Sequence, residues 1–157
     1  MNDLIRLFKS IFEKRKSYLQ HRRFSIFKNL NDFELSLLDN VMHRREFKAG
    51  EVLFETGYPI EVVFFIEKGE VLLTGSLHDE TGSIVCKNQH LGLIDAYYGG
   101  KRNRTATAKT DVSAFALAVT DLEELIQSKP RTGNKILEAI CKSFSQYIIE
   151  TAAATRS

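Results

Sequence analysis

Lys48-Ala-Gly-Glu-Val-Leu-Phe-Glu-Thr-Gly57 and, a few residues on, Phe64-Phe-Ile-Glu-Lys-Gly69-Glu-Val71 decide how this chain folds. Gly50, Gly57 and Gly69 stand between short β-rich runs, where a tight bend or a positive φ strains any residue with a side chain. The apolar residues between them suit the inside of a narrow barrel. Similar runs recur at residues 51–55, 62–67, 70–76, 84–87, 105–109 and 113–119, each bounded by turn-forming residues. The spacing predicts an antiparallel β fold over about residues 45–119.

Helical patterns lie on both sides of this β region. Asn31-Asp-Phe-Glu34 reads as a capping box, with Leu30 and Leu35 placed as a hydrophobic staple, and predicts a helix to about Met42. Thr120-Asp-Leu-Glu123 reads as a second capping box. A long helix then follows over about 131–153, with Ile136, Ile140, Phe144, Tyr147 and Ile148 near one face. That stripe either pairs two copies in a C2 dimer or finishes the core of its own chain. The fold class is mainly β with flanking α: helices, a β-barrel, then helices again.

Charge is unevenly placed. Residues 1–28 hold eight Lys or Arg against Asp3 and Glu13, a net +6, which leaves −4 for residues 29–157 of a chain that is +2 in all. In this segment Leu4, Leu7, Phe8, Ile11, Phe12, Tyr18 and Leu19 follow helical spacing, while Arg6, Lys9, Lys16, Arg22 and Arg23 take other faces. It reads as one basic amphipathic helix, whose apolar stripe packs on the domain or a second copy, on an anionic membrane surface, or on nucleic acid. Residues 29–157 read as one domain, because neither helical end carries enough apolar residues for a core of its own.

Composition narrows the function. With 157 residues, 43% apolar and 27% charged, the chain is an ordinary globular domain. No run approaches the roughly 20 apolar residues that span a bilayer. Arg6, Lys9 and Glu13 interrupt any signal-peptide core, so the expected location is the cytoplasm. Cys86 and Cys141 form no Cys-x-x-Cys pair and are expected as core thiols. His21, His43, His78 and His90 are scattered, with His78 in an expected hairpin, and read as solvated rather than as metal ligands. No Gly-x-Ser-x-Gly or P-loop is present, and the acidic pair Glu123 and Glu124 is explained by a helix N-terminus, so no enzyme is expected.

The two opening stretches, with His90-Leu-Gly92, Arg102-Asn-Arg-Thr-Ala-Thr-Ala-Lys-Thr110 and the two C-terminal helices, closely resemble cyclic-nucleotide-binding domains over about residues 24–150. These are the β-roll sensors of catabolite-activator-type regulators, kinase regulatory subunits and cyclic-nucleotide-gated channels, and the resemblance implies an antiparallel jelly-roll-type β-roll over about residues 45–119 between N-terminal and C-terminal helices. The resemblance implies a phosphate-binding cassette at residues 92–105, with Gly92, Leu93, Ile94, Arg102, Asn103, Arg104 and Thr105 as ligand-binding candidates. A cyclic phosphodiester is best held by exposed N–H groups at a helix start and by a guanidinium. The resemblance makes Arg102 the phosphate candidate, with Arg104, in place of a small residue, either a second positive charge or a solvated side chain. It also implies cAMP or cGMP as the candidate ligand.

The cassette departs from the family pattern. Leu93 stands where the family has a glutamate that accepts from the ribose 2′-hydroxyl, and losing such a partner costs about 1–3 kcal/mol. Asp95 is expected to turn away from that position. Asn88-Gln89-His90 replaces the usual Gly-Asp pair, and Tyr58-Pro59 follows Gly57 in place of an acidic residue. Tyr97 and Tyr98 read as core aromatics or as pocket lining. A chain ending at Ser157 leaves no room for the helix-turn-helix that follows this domain in transcriptional regulators, so direct DNA reading by that route is not expected. Two functions remain: a stand-alone sensor of cAMP, cGMP or a related phosphate-bearing ligand that signals through its terminal helices, or a degenerate module that binds no nucleotide and serves protein interaction or dimerisation through those helices.

Overall fold

Thr105-Ala-Thr-Ala108 shows why the roll closes. Alternate residues of a strand point to opposite faces, so Ala106 and Ala108 are buried while the threonines lie at the other face. A computed structural model describes residues 2–75 and 82–154 of the chain. The strands are β1 (Met42–Phe47), β2 (Val52–Phe54), β3 (Val62–Lys68), β4 (Val71–Thr74), β5 (Ser83–Val85), β6 (His90–Leu91), β7 (Thr105–Ala108) and β8 (Val112–Ala118). They form two antiparallel four-stranded sheets, ordered β1-β8-β3-β6 and β2-β7-β4-β5. Phe64, Ile66, Val71 and Leu91 pack against the small residues Ala106, Ala108, Ala114 and Ala116 in one apolar cluster. Large side chains opposite small ones let the layers interdigitate. Phe47 meets Phe64 edge-on at 5.8 Å between ring centroids, and Phe54 stacks on Phe64 at 6.3 Å.

The glycine corners are real, and Gly69 has the tightest surroundings. Its φ is +91°, and a Cβ there would run into the backbone carbonyl of Asp111 in the facing turn. Thr110 Oγ1 of that turn accepts from Glu70 N at 3.0 Å.

Two compact units divide the chain: Met42–Glu124, and the chain up to Val41 together with that from Leu125 onward. The second is helical. It contains α1 (Asn2–Leu19), 3-10 turns at Gln20–Arg23 and Ser25–Phe27, α2 (Asp32–Asp39), the end of α4 (Val119–Ser128) and α5 (Pro130–Ala154). The short α3 (Leu93–Tyr98) belongs to the β unit. In α2 both capping-box bonds form: Asn31 Oδ1 accepts from Glu34 N at 2.9 Å, and a Glu34 carboxylate oxygen accepts from Asn31 N at 2.8 Å. Leu30 and Leu35 are both buried, as a staple requires. The same Glu34 carboxylate takes Lys135 Nζ at 2.7 and 2.9 Å and Thr132 Oγ1 at 3.3 Å, tying α2 to α5. Burial alone would raise the Glu34 pKa; Lys135, the Asn31 N–H and Thr132 outweigh it and hold the carboxyl below its ordinary range.

Several expectations are corrected. The N-terminal helix ends at Leu19 rather than near residue 28, and two 3-10 turns follow. Most of its stripe is not packed: Leu4, Leu7, Phe8, Ile11 and Phe12 are exposed, while Tyr18 and Leu19 at its end are half-buried. The helix opened by Asn31 stops at Asp39, and Met42 starts β1, whose pairing with β8 overrides the weak β character of His43-Arg-Arg-Glu46. The two-residue β6 was too short to read. Thr120 lies within α4, which begins at Val119, instead of capping it. Of the α5 stripe, Ile136 and Ile140 are buried while Tyr147 and Ile148 are exposed. Cys86 and Cys141 are exposed thiols, not core. His21 is fully buried, with Nε2 2.7 Å from Asp39 Oδ1. The hairpin expected around His78 lies outside the described residues.

Candidate functional site

Arg102 is the organising side chain of the cassette. Its backbone is pinned by the loop after β2: Gly57 N donates to Arg102 O and Arg102 N donates to Tyr58 O, both at 2.8 Å, and Lys101 bridges Pro59. The Tyr58-Pro59 departure thus sits where the chain holds the cassette in place. So anchored, the guanidinium turns inward and is 3% exposed. Nη2 donates to the Val62 carbonyl of β3, and the guanidinium carbon lies 4.0 Å from the Phe54 ring centroid, a cation–π contact. Nη1 stands 3.6 Å from Asp95 Oδ2. Nε and Nη1 are buried with no hydrogen-bond partner among the described residues. Burial draws the Arg102 pKa below the ordinary guanidinium range, and Asp95 partly restores it.

Gly92 fits this arrangement for two reasons. Its φ is +86° at the N-cap of α3, and a Cβ there would collide with Arg102 Nη1. The helix starts after Gly92 as expected. Leu93 is 1% exposed, so the residue at the expected acceptor position is committed to the interior. Ile94 is exposed. Asp95, expected to turn away, faces Arg102 instead, because two residues of helix rotate it from the Leu93 direction to the arginine. Tyr97 and Tyr98 are exposed rather than core, Tyr98 to 88%.

Beyond Arg102, Asn103 is exposed. Arg104 is half-buried and donates from Nη1 to Ser83 Oγ at 3.0 Å, so it is neither solvated nor at the Arg102 guanidinium. Thr105 Oγ1 accepts from Thr56 N at 3.1 Å and lies 3.1 Å from Thr56 Oγ1. The structure therefore gathers Gly92, Asp95 and Arg102 at one point. It adds Phe54 and the Val62 carbonyl, which no sequence motif marks: Phe54 reads as one more inward aromatic, and a backbone oxygen leaves no trace in side-chain chemistry. Among the described residues, no group of three or more His, Cys, Asp or Glu side chains could hold a metal ion.

The family profile described as cyclic nucleotide-binding domain matches residues 44–129. A protein named as a potassium channel, from Rhodopseudomonas palustris, is 25% identical over 119 residues, 75% of this chain; the chain spans only 29% of that relative's length. The N-terminal domain of a transcriptional regulator from Streptomyces coelicolor superposes with a TM-score of 0.69 at 25% identity, over 80% of this chain and 92% of that one. The regulatory subunit of a cAMP-independent protein kinase A from Trypanosoma cruzi, bound to guanosine, superposes with a TM-score of 0.67 at 21% identity, over 90% of this chain and 51% of that one.

Proposed function

The chain belongs to the cyclic nucleotide-binding domain family, and from that premise we propose that it is a regulatory sensor domain whose ligand presents a phosphate to Arg102. One observation carries this reading: Arg102 Nε is buried with no hydrogen-bond partner among the described residues, and Nη1, equally buried, has only the 3.6 Å ion-pair contact to Asp95. Native proteins rarely leave buried donors unpaired, since each costs about 1–3 kcal/mol. A phosphate oxygen accepting from either atom removes that cost and adds a charge-assisted hydrogen bond. The ligand class is a cyclic nucleotide such as cAMP or cGMP. Its affinity is modest, because Leu93 offers the ribose no acceptor and the Asp95 carboxylate competes with an incoming anion for the guanidinium.

Output runs through the terminal helices. Val119 N, at the start of α4, donates to Glu61 O just before β3 at 2.9 Å, and α4 leads directly into α5. A ligand that favours one arrangement of the cassette biases whatever α5 and α1 bind, by its difference in affinity for the two states.

Thermal unfolding with and without cAMP or cGMP tests the reading. Ligand at a hundredfold over its dissociation constant adds about 2.7 kcal/mol, and each kcal/mol moves the midpoint by roughly 2–4 °C in a domain of this size. The shift is expected to vanish in Arg102→Ala. In Asp95→Asn the affinity is expected to rise about tenfold, from loss of the competing charge. No shift at millimolar nucleotide contradicts the proposal. A shift with guanosine that survives in Arg102→Ala assigns recognition to the nucleoside instead.

The second reading, a module that binds no nucleotide and pairs with protein, rests on the buried Leu93 and on the partners Arg102 already has in Val62, Phe54 and Asp95. On that reading Arg102→Ala lowers the midpoint equally with and without nucleotide.

A further inference from the structure

We propose that α1 is a docking helix for an anionic lipid bilayer, lying along its surface. Residues 4–14 are exposed on every side, although Leu4, Ile5, Leu7, Phe8, Ile11 and Phe12 are apolar. Among the described residues the helix is held at its end, where Ser17 Oγ donates to Asp39 of α2 at 3.2 Å. At 100° per residue Ser17 is nearly opposite the centre of the apolar arc; Ser17, Tyr18 and Leu19 at the helix end are half-buried, whereas the apolar positions from Leu4 to Phe12 are exposed. Three turns of helix without tertiary cover are marginal in water, so this segment is built for a surface it meets elsewhere.

Charge and spacing choose that surface. Lys9 and Lys16 border the apolar arc on one side and Lys14 on the other, with Arg6 behind. Lys16 Nζ lies over the exposed Phe12 ring, 4.9 Å from its centroid, so a positive charge stands at the edge of the apolar arc. Phe and Leu on one face with Lys and Arg around them is the composition of an interfacial helix. A second copy fits poorly. Every heptad register through the stripe meets Lys14 or Arg15 at the third turn, and two such helices bring like charges together. Among the described residues no helix is long and apolar enough to cross a membrane, so α1 lies in the interface plane.

The test is co-sedimentation of the full chain with phosphatidylcholine vesicles, with and without phosphatidylserine, over a range of salt. The chain is expected to sediment with the serine-containing vesicles and to be released by salt. The double substitution Phe8→Ser with Phe12→Ser is expected to lower partitioning at least tenfold. Lys9→Gln with Lys14→Gln and Lys16→Gln is expected to remove the preference for anionic lipid. Neither set should change the thermal midpoint appreciably, because these positions are exposed and the contact among them is the surface pair of Lys16 and Phe12; an unchanged midpoint confirms that lost binding is not lost folding. The proposal is overturned if the chain stays in the supernatant with anionic vesicles, if it binds phosphatidylcholine alone as well, or if the phenylalanine variant binds like the parent. It is also overturned if light scattering without lipid shows a dimer that the phenylalanine variant dissolves, since a second copy then covers the face.

Discussion

Strand β8 and the first three turns of α1 are both rich in apolar residues, yet six of the seven residues of β8 are buried and all of residues 4–14 are exposed. The difference lies in the backbone. A strand must find neighbours for its N–H and C=O groups, and β8 finds β1 on one edge and β3 on the other, which carries its side chains into the interior. A helix satisfies its own backbone, so nothing in the folding of α1 forces its apolar face against the protein. Apolar patterning predicts the shape of an element. Its hydrogen-bonding needs decide whether the fold itself supplies the cover.

Substitutions can break or sharpen this contrast. The largest effect is expected at Phe65 in β3, which is fully buried: Phe65→Ala should cost about 3–5 kcal/mol in a denaturant titration. Next comes Glu34→Ala, which removes a cap bond and leaves Lys135 without its partner, for about 2 kcal/mol. Because the Glu34 pKa is lowered in the folded state, its contribution is present above its unfolded value of about 4.3 and is lost as pH falls through the folded one. The acid limb of a stability-versus-pH curve should therefore flatten in Glu34→Gln. A smaller effect is expected at His90, whose pKa burial lowers: stability is complete above the unfolded value of about 6.5 and falls as pH drops below it, a slope that His90→Asn should reduce. The smallest is Phe8→Ala, expected within about 0.5 kcal/mol of the parent. A cost at Phe8 like that at Phe65 would show α1 to be packed after all.

Much of the architecture was legible. The glycines at 50, 57 and 69 all have positive φ, and the capping box at Asn31 forms both of its bonds, because turn strain and end-capping are local and leave residues in fixed spacing. What is settled between distant segments was less so. His43-Arg-Arg-Glu46 becomes a strand by pairing with the edge that β8 offers, and the buried His21 meets Asp39 from a separate helix. The candidate site divides the same way. Gly92 and Arg102 were marked by the family resemblance, whereas Phe54 and the Val62 carbonyl, 48 and 40 residues before Arg102, meet it only through the pairing of the two sheets and the pinning of its backbone by Tyr58.

The central claim is that Arg102 holds buried donors for an anionic ligand. Its most direct test is the arginine Nε–Hε resonance of the labelled protein, assigned by its loss in Arg102→Lys, during titration with cAMP and then cGMP. The account expects this buried resonance to shift progressively and to saturate, as a free donor gains an acceptor. A resonance that stays in place to millimolar concentrations of both nucleotides would contradict it.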